Sequence, residues 1–372
     1  MSKKAALHNL GCKVNAYETE AMQQLLEKAG YEIVPFAPGA DVYVINTCTV
    51  TNMADRKSRQ MLHKAKKMNP HAIVVAAGCY VQAAGTELEE DSAIDIIIGN
   101  NRKKDLASIL EHYERSAVQE SLIDINHTKE YEKLSLEKTV EHTRAYLKVQ
   151  DGCNQFCTYC IIPYIRGNYR SVPMERLIKE AQELADQGVK ELILVAQETT
   201  VYGQDIYGEK SLHKLLKELC QIKGIRWIRL LYCYPEEIDD NLIQVMKEEP
   251  KICHYLDLPI QHASDAILKR MGRRTSKQQL IDTITKLRKE IPDIALRTTL
   301  ITGFPGETQE QHEEVMEFVD EMEFERLGVY TYSPEEDTPA ATMPDQIDEE
   351  VKEDRQADIM ELQQEIVFDQ AE

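Results

Sequence analysis

A chain of 372 residues with 42% hydrophobic and 29% charged residues has the composition of a globular protein and the length for two domains. No run approaches the roughly 18 apolar residues of a membrane span, and the first ten residues carry no signal-peptide core, so the reading is a cytoplasmic protein with no membrane partner. The net charge of −20 is concentrated: residues 335–372 hold 14 Asp/Glu against Lys352 and Arg355, giving −12 and leaving −8 for the other 334. A uniform acidic field would exclude nucleic-acid binding, but an acidic end on a near-balanced body does not. Nine cysteines in a reducing compartment argue for metal ligation or reactive thiols over disulfides.

The N-terminal third alternates apolar runs at 5–10, 42–45, 73–77 and 94–98 with helical patterns at 18–28, 55–67 and 103–114, Gly30 serving as the C′ cap of the first helix. Short hydrophobic strands between helices predict a parallel sheet covered on both faces. Three cysteines fall just past strand ends: Cys12 after Gly11, Cys48 after Asn46-Thr47, and Cys79 after Gly78. The carboxyl edge of an open parallel sheet is where such folds gather their sites. These positions, 36 and 31 residues apart, form no local motif, and the fold would bring them together as a three-thiolate site. The alternative is three unrelated buried thiols acting as small hydrophobes. The helix after Cys48 carries Arg56, Lys57, Arg59, Lys64, Lys66 and Lys67, a face that suits either a phosphate backbone or plain solvent.

Residues 115–143 are polar and aperiodic, a connection with room for one short edge strand. From residue 144 strands are predicted at 145–149, 189–196, 227–232, 255–260, 294–301 and 327–332, with helices at 174–186, 212–221, 239–247, 277–289 and 309–321. Six strand–helix repeats in about 190 residues describe an incomplete form of the eight-fold (β/α) barrel. The fold class is therefore α/β: an N-terminal parallel-sheet, Rossmann-like domain over 1–115, a linker over 116–143, an incomplete (β/α)6 barrel over 144–340, and an acidic C-terminal helix over 341–372.

The first barrel strand runs into Cys153-Asn-Gln-Phe-Cys157-Thr-Tyr-Cys160, a CxxxCxxC loop. Three thiolates so close on one loop hold three irons of a cubane cluster and leave the fourth iron open to a small molecule. A structural zinc loop or an electron-transfer cluster is the competing reading. Zinc, however, usually takes four ligands in paired spacing, and His142, before the strand, is not so placed. At other strand ends stand Gln197-Glu198, Gln261-His262 and Gly303-Phe-Pro-Gly-Glu307, the last being either a tight turn or a point of close ligand approach. Cys220, Cys233 and Cys253 share no motif and read as packing thiols, and the ten histidines form no paired metal motif.

At Cys153–Cys160 the chain resembles the radical S-adenosylmethionine (radical SAM) superfamily, with Tyr159 in the aromatic slot of CxxxCx(aromatic)C. Segments Leu10-Gly-Cys-Lys-Val-Asn15 and Asn46-Thr-Cys-Thr-Val-Thr51 are similar to its methylthiotransferase branch. The resemblance implies SAM and two 4Fe–4S clusters, one on Cys153, Cys157 and Cys160 as the catalytic set, the other on Cys12, Cys48 and Cys79 as sulfur carrier. It implies SAM contacts from Tyr159, Glu198 and Gly303, and an electron donor such as flavodoxin or ferredoxin. SAM bound to the open iron would yield a radical able to break an unactivated C–H bond, with the barrel excluding water. Residues 1 to about 165 look like the MtaB branch, which modifies threonylcarbamoyladenosine beside the tRNA anticodon. From about Gly167 the chain looks like the RimO branch, which modifies an aspartate of a small-subunit ribosomal protein. The small β-barrel module called TRAM that usually follows has no counterpart here. Because Arg56, Lys57 and Arg59 directly follow Cys48, tRNA is the preferred partner and the ribosomal protein the runner-up. A radical SAM enzyme with an electron-relay second cluster, or a non-catalytic iron–sulfur scaffold, are the other classes.

Overall fold

The computed structural model describes residues 2–113, 119–122, 125, 128–139 and 143–371; His142 and much of the expected linker lie outside the described residues. The chain divides into two compact units, one of residues 1–154 and 161–189, the other of 155–160 and 190–372.

The first unit contains β1 (Lys4–Asn9), α1 (Lys13–Lys28), β2 (Glu32–Ile33), β3 (Val42–Thr47), α2 (Asn52–Met68), β4 (Ile73–Gly78), α3 (Cys79–Ala84), β5 (Ile96–Ile98), α4 (Leu106–Tyr113) and β6 (Gln119–Ser121). These strands form one six-stranded sheet in the order β2-β1-β3-β4-β5-β6, every pair parallel. Alternation along each strand explains why both faces are covered. Tyr43, Ile45, Val74 and Ala76 point to one side, where Leu62 and Ala65 of α2 meet them. Val42, Val44, Val75 and Ala77 point to the other, against Met22 and Leu26 of α1 and Leu106 and Leu110 of α4. The short edge strand expected in the connection is β6. The strand expected over 94–98 is shorter, beginning at Ile96, because Asp95 turns aside to accept from the Val74 N–H and from Lys66.

The same unit also holds β7 (Arg144–Lys148), β8 (Gln150–Asp151), α5 (Ile162–Arg166), β9 (Arg170–Ser171) and α6 (Met174–Asp186). β8 and β9 pair antiparallel, Gln150 with Ser171 and Asp151 with Arg170, which closes the base of the chain excursion bearing the CxxxCxxC cysteines. Where it is described, the polar connection is packed: Leu134 and Leu136 are buried, and the Tyr131 ring lies between Lys148 and Arg176 at 5.2 and 5.6 Å.

The second unit contains β10 (Glu191–Val195), α7 (Gln204–Tyr207), α8 (Leu212–Cys220), β11 (Trp227–Leu230), α9 (Asp240–Glu248), β12 (Tyr255–Gln261), α10 (Asp265–Arg270), α11 (Lys277–Glu290), β13 (Ala295–Thr302), α12 (Gln309–Met322), β14 (Arg326–Thr331) and α13 (Glu349–Ala371). β10 pairs parallel with β11, and β12 with β13 and β13 with β14, while an Ile228–Ile252 bridge joins the two sets. These are five of the six strands expected from the strand–helix rhythm, parallel and in chain order with helices between them; the first of the six, β7, lies in the first unit. Capping boxes start α11 at Ser276/Gln279 and α12 at Thr308/Gln311. The acidic C-terminal helix is α13, and it is not a free tail. Lys352, Arg355, Ile359, Gln363 and Ile366 form a buried stripe at helical spacing. Since Lys352 and Arg355 are its two cations, its outward charge is wholly acidic. Among the described residues no helix is long and apolar enough to cross a membrane.

In the first unit, Glu180 of α6 accepts from the Tyr17 hydroxyl at 2.7 Å and the Leu136 N–H at 3.0 Å, yet burial pushes its carboxyl from 4.5 up to about 7. The folded state therefore holds a proton that the unfolded state releases between pH 4.5 and about 7, and stability is lost as pH rises through that window. Glu180→Gln is expected to remove this slope, the wild-type penalty above pH 7 being on the order of 3 kcal/mol. Urea unfolding at pH 5, 6 and 7.5 measures it; parallel curves for the two proteins would reject it.

Candidate metal centres

Cys12 is the N-cap of α1, Cys48 follows the last residue of β3, and Cys79 opens α3 directly after β4. All three thus stand at the carboxyl edge of the parallel sheet. The glycines before two of them are required by backbone shape and by space. Gly11 has φ +96°, and a Cβ there would lie 2.7 Å from Cys48 Sγ; Gly78 has φ +100°, and a Cβ would lie 2.6 Å from Asn46 Oδ1. Asn15, fully buried, donates to the Leu10 carbonyl at 2.7 Å and the Thr47 carbonyl at 2.9 Å, so one side chain pins the loops before Cys12 and Cys48. Asn46 in turn donates to the Asn15 carbonyl at 3.0 Å. These contacts explain why Asn15 and Asn46 belong to the two short motifs.

The three thiols lie within electrostatic reach of one another. Burial pushes the Cys48 thiol up to about 11, with Cys79 and Cys12 adding to the rise, and burial likewise raises Cys12. A buried group of charges faces them, and sequence reading missed it. Arg166 Nη1 meets Glu18 at 2.7 Å and Asp151 at 3.0 Å, Nη2 meets Asn15 Oδ1 at 2.7 Å, and Nε donates to Cys79 Sγ at 3.3 Å. Lys148 reaches Glu18 at 2.6 Å and Asp151 at 3.2 Å, and Lys103 also pairs with Glu18. Burial alone would raise the Glu18 carboxyl, but Arg166, Lys103 and Lys148 together hold it well below the usual range. The signals for this group were a lone lysine inside the apolar run at 145–149 and an Asp and an Arg flanking the cysteine loop.

The donor set suits an anionic cluster. Four buried cations, Lys103, Lys148, Arg166 and Arg170, meet two carboxylates here, Glu18 and Asp151, leaving positive charge for the sulfurs, which favours thiolates. Among the described residues no three His, Cys, Asp or Glu side chains converge as ligands of a single metal ion would. Cubane thiolates bind different irons and stand further apart.

In the CxxxCxxC loop, the Cys153 N–H bonds the Gly167 carbonyl at 3.1 Å within the first unit. Residues 155–160 pack in the second unit. Thr158 is held at three points, its N–H on the Met271 carbonyl at 2.9 Å, its hydroxyl on the Arg270 carbonyl at 2.8 Å, and its carbonyl on the Ala340 N–H at 2.8 Å. Cys157 Sγ lies 2.6 Å from the Tyr234 hydroxyl, and the Arg273 guanidinium stacks 3.8 Å from the centre of that ring. Tyr159 packs with Ile267, Met271, Phe304 and Tyr332, and burial drives its hydroxyl pKa well up, with Cys157 adding to the shift. Tyr234 and Arg273 carried no sequence signal.

Glu198 is buried, accepts from the Thr200 N–H at 2.7 Å and the Thr200 hydroxyl, and is pushed by burial up to about 8. Gly303 has φ +69°, and the close approach it permits is made by Lys352: a Cβ there would lie 2.3 Å from Lys352 Cγ. In the same loop Glu307 accepts from His262 at 2.9 Å, the Gly303 N–H at 3.1 Å and Arg355 at 2.7 Å, which together outweigh burial and lower its pKa. Cys220 and Cys233 are buried and Cys253 partly so.

A family model described as the radical SAM superfamily matches residues 147–319, and one described as uncharacterized protein family UPF0004 matches residues 4–99. The ribosomal protein uS12 methylthiotransferase RimO of Lachnoclostridium phytofermentans is 52% identical over 368 residues, 98% of this chain and 83% of that protein. Those of Clostridium botulinum and Desulfitobacterium hafniense are 46% and 44% identical, over 98% and 100% of this chain and 83% and 84% of theirs. The chain belongs to the radical SAM methylthiotransferase family. As a methylthiotransferase it uses SAM and 4Fe–4S clusters. Solved structures share the fold at low identity. The radical SAM methyltransferase TsrM of Kitasatospora setae superposes with a TM-score of 0.64 at 16% identity, covering 91% of this chain and 75% of its own. The cobalamin-dependent radical enzyme OxsB gives 0.58 at 11%, covering 98% and 56%.

Glu18 is the carboxylate on which Lys103, Lys148 and Arg166 converge. Glu18→Leu strips it from three buried cations, and the expected cost is about 3–5 kcal/mol in the cluster-free protein, read by chemical denaturation. A loss below about 1 kcal/mol, the value of an exposed pair, would show that the group relaxes to water instead.

Proposed function

We propose that this methylthiotransferase acts on the small-subunit ribosomal protein uS12, the substrate named for its relatives, at an aspartate as the RimO resemblance implies. The observation that carries this reading is 52% identity running over 98% of the chain, N-terminal sheet and barrel alike. The outward acidity of α13 and the net charge of −20 support it, since a ribosomal protein that binds RNA is basic and would be attracted. The tRNA preference rested on the basic residues after Cys48. In the helix itself Arg59 lies over the Tyr80 ring at 5.7 Å and Lys66 pairs with Asp95 at 2.7 Å. What is left is a solvated face with Arg56, Lys57, Lys64 and Lys67, which suits solvent as well as a phosphate backbone, and the RimO relatives all support the runner-up.

In this reading Cys12, Cys48 and Cys79 hold the sulfur-carrying cluster and Cys153, Cys157 and Cys160 the cluster that takes SAM, with Tyr159, Glu198 and Gly303 around the SAM. When bound, SAM and the clusters supply one-electron chemistry for an unactivated C–H bond and the methyl of the methylthio group. The protein's part is to fix the donors. Asn15 and Arg166 hold the N-terminal loops, Thr158 anchors the second loop, and Glu198 is kept protonated near neutrality by burial until a cationic group pairs with it. An electron donor such as flavodoxin or ferredoxin completes the system.

Anaerobically reconstituted protein should bind about eight irons if both groups carry cubanes, and about four when Cys153, Cys157 and Cys160 are all replaced by Ala. A full load in that variant, or none in a folded one, would overturn the assignment. Cys48→Ala is expected to abolish methylthiolation and leave reductive SAM cleavage, whereas Cys157→Ala abolishes both; loss of cleavage in a folded Cys48 variant contradicts the division of roles. Complementation of cells lacking either modification tests the substrate. The uS12 protein should gain about 46 mass units, the net addition of CH2S, while tRNA stays unmodified. The reverse result would restore the tRNA reading.

A further inference from the structure

We propose that Arg166, with Asn100 beside it, is the positioning residue of the N-terminal thiol group: side-chain hydrogen bonds to Cys79 Sγ set how readily a cluster held there accepts an electron. The inference rests on reading Cys12, Cys48 and Cys79 as cluster ligands.

Arg166 is 1% exposed, and its guanidinium is fixed on every side. Nη1 and Nη2 are held by Glu18, Asp151 and Asn15, which turns the Nε–H toward Cys79 Sγ at 3.3 Å. A planar fork held at its other corners cannot swing away, so this contact is imposed by the ion pairs. The backbone is fixed as well: Ile161 and Ile165 of the segment around α5 pack against Cys79. Asn100 Nδ2 donates to the Ile165 carbonyl at 2.9 Å and lies 3.7 Å from the same sulfur, a second and weaker donor. The other two thiols differ, because Cys12 and Cys48 are met by the backbone N–H groups of Asn15 and Val50. Cys79 is thus the ligand whose donors are side chains, one of them charged.

A hydrogen bond to a cluster's cysteine sulfur draws electron density from the iron and stabilises the reduced state, and a buried cation acts in the same direction. Arg166 stands six residues after Cys160 and Asp151 two before Cys153. The ion pair that joins the two flanks of the second cysteine loop therefore also orients a ligand of the first group.

The test uses full-length protein carrying Cys153→Ala, Cys157→Ala and Cys160→Ala, reconstituted anaerobically with iron and sulfide and titrated by electron paramagnetic resonance. Adding Arg166→Lys keeps a cation for Glu18 and Asp151 but withdraws the Nε–H. The expected result is an unchanged load of about four irons and a reduction equilibrium about tenfold less favourable, a shift of about 59 mV downward for one electron. Asn100→Leu leaves the Arg166 ion pairs in place, covers the case in which Arg166→Lys does not fold, and should move the equilibrium about threefold in the same direction. An unmoved or raised potential in whichever of these variants holds its iron overturns the proposal. Failure of the parent triple variant to bind any iron overturns the cysteine assignment, and the proposal with it.

Discussion

The ion pairs around Arg166 are the constraint on which the first unit depends. Charges removed from water cost several kcal/mol each unless their geometry is complete, and here it is complete. Glu18, Asp151, Lys103, Lys148 and Arg166 are all at most 1% exposed, and each meets an opposite charge within hydrogen-bond distance. They come from α1, the turn before α4, β7, β8 and α5, so the group cannot form until distant stretches of chain are in place. A hydrophobic core would tolerate small slips among these elements, whereas a set of fixed donors and acceptors does not. That specificity is spent where it matters, beside three thiols at the edge of the sheet.

The same group shows what a sequence can and cannot disclose. The strands, the helices and their order were legible because each is written locally: period 2 or an apolar run for strands, period 3.6 for helices, glycine at the turns. The position of Cys12, Cys48 and Cys79 was legible because in a parallel sheet a residue just past a strand stands at the carboxyl edge, so element order turns into place. Arg166 and Asp151 were not legible. In the sequence they are an ordinary Arg-Gly and Asp-Gly on either side of a motif, and their meaning lies in partners up to 151 residues away. Tyr234 and Arg273 were hidden for the same reason, their link to Cys157 spanning 77 residues and more. The short pieces α3, α10, β8 and β9 were missed because two to six residues are too few for a period to show.

Charge misled where it was counted by segment. Residues 335–372 were read as an acidic tail beside the barrel, but α13 is part of the second unit's wall, and its two cations face inward. Their burial makes the outward surface more acidic than composition suggests. Conversely, the basic helix α2 is less cationic than its residue list, since some of its charges are already engaged. Local likeness in the first 165 residues pointed to tRNA, yet whole-chain identity to the RimO relatives takes in every element of both units. Whole-chain identity samples the long-range contacts that a short motif cannot.

Lys352 and Arg355 tie α13 to the loops at the carboxyl ends of β12, β13 and β14. Lys352 donates to the Tyr332 carbonyl at 2.9 Å and lays its stem against Gly303, while Arg355 holds Glu307 and the Glu307 carbonyl. Glu307 in turn takes the His262 ring and the Gly303 N–H, so loops after β12 and β13 are tied to one helix. The device resembles that of the first unit: loops at the carboxyl end of parallel strands, glycines that let a neighbour approach, and buried cations locked on carboxylates, there Glu18 of α1 and Asp151 of β8. Parallel strands set where such loops emerge but not how they are shaped, since their backbone groups are no longer paired in the sheet. Buried ion pairs supply that missing definition in both units. Groups that must accept a cofactor and then survive its chemistry are best fixed before it arrives, because any ordering left to binding would be subtracted from affinity.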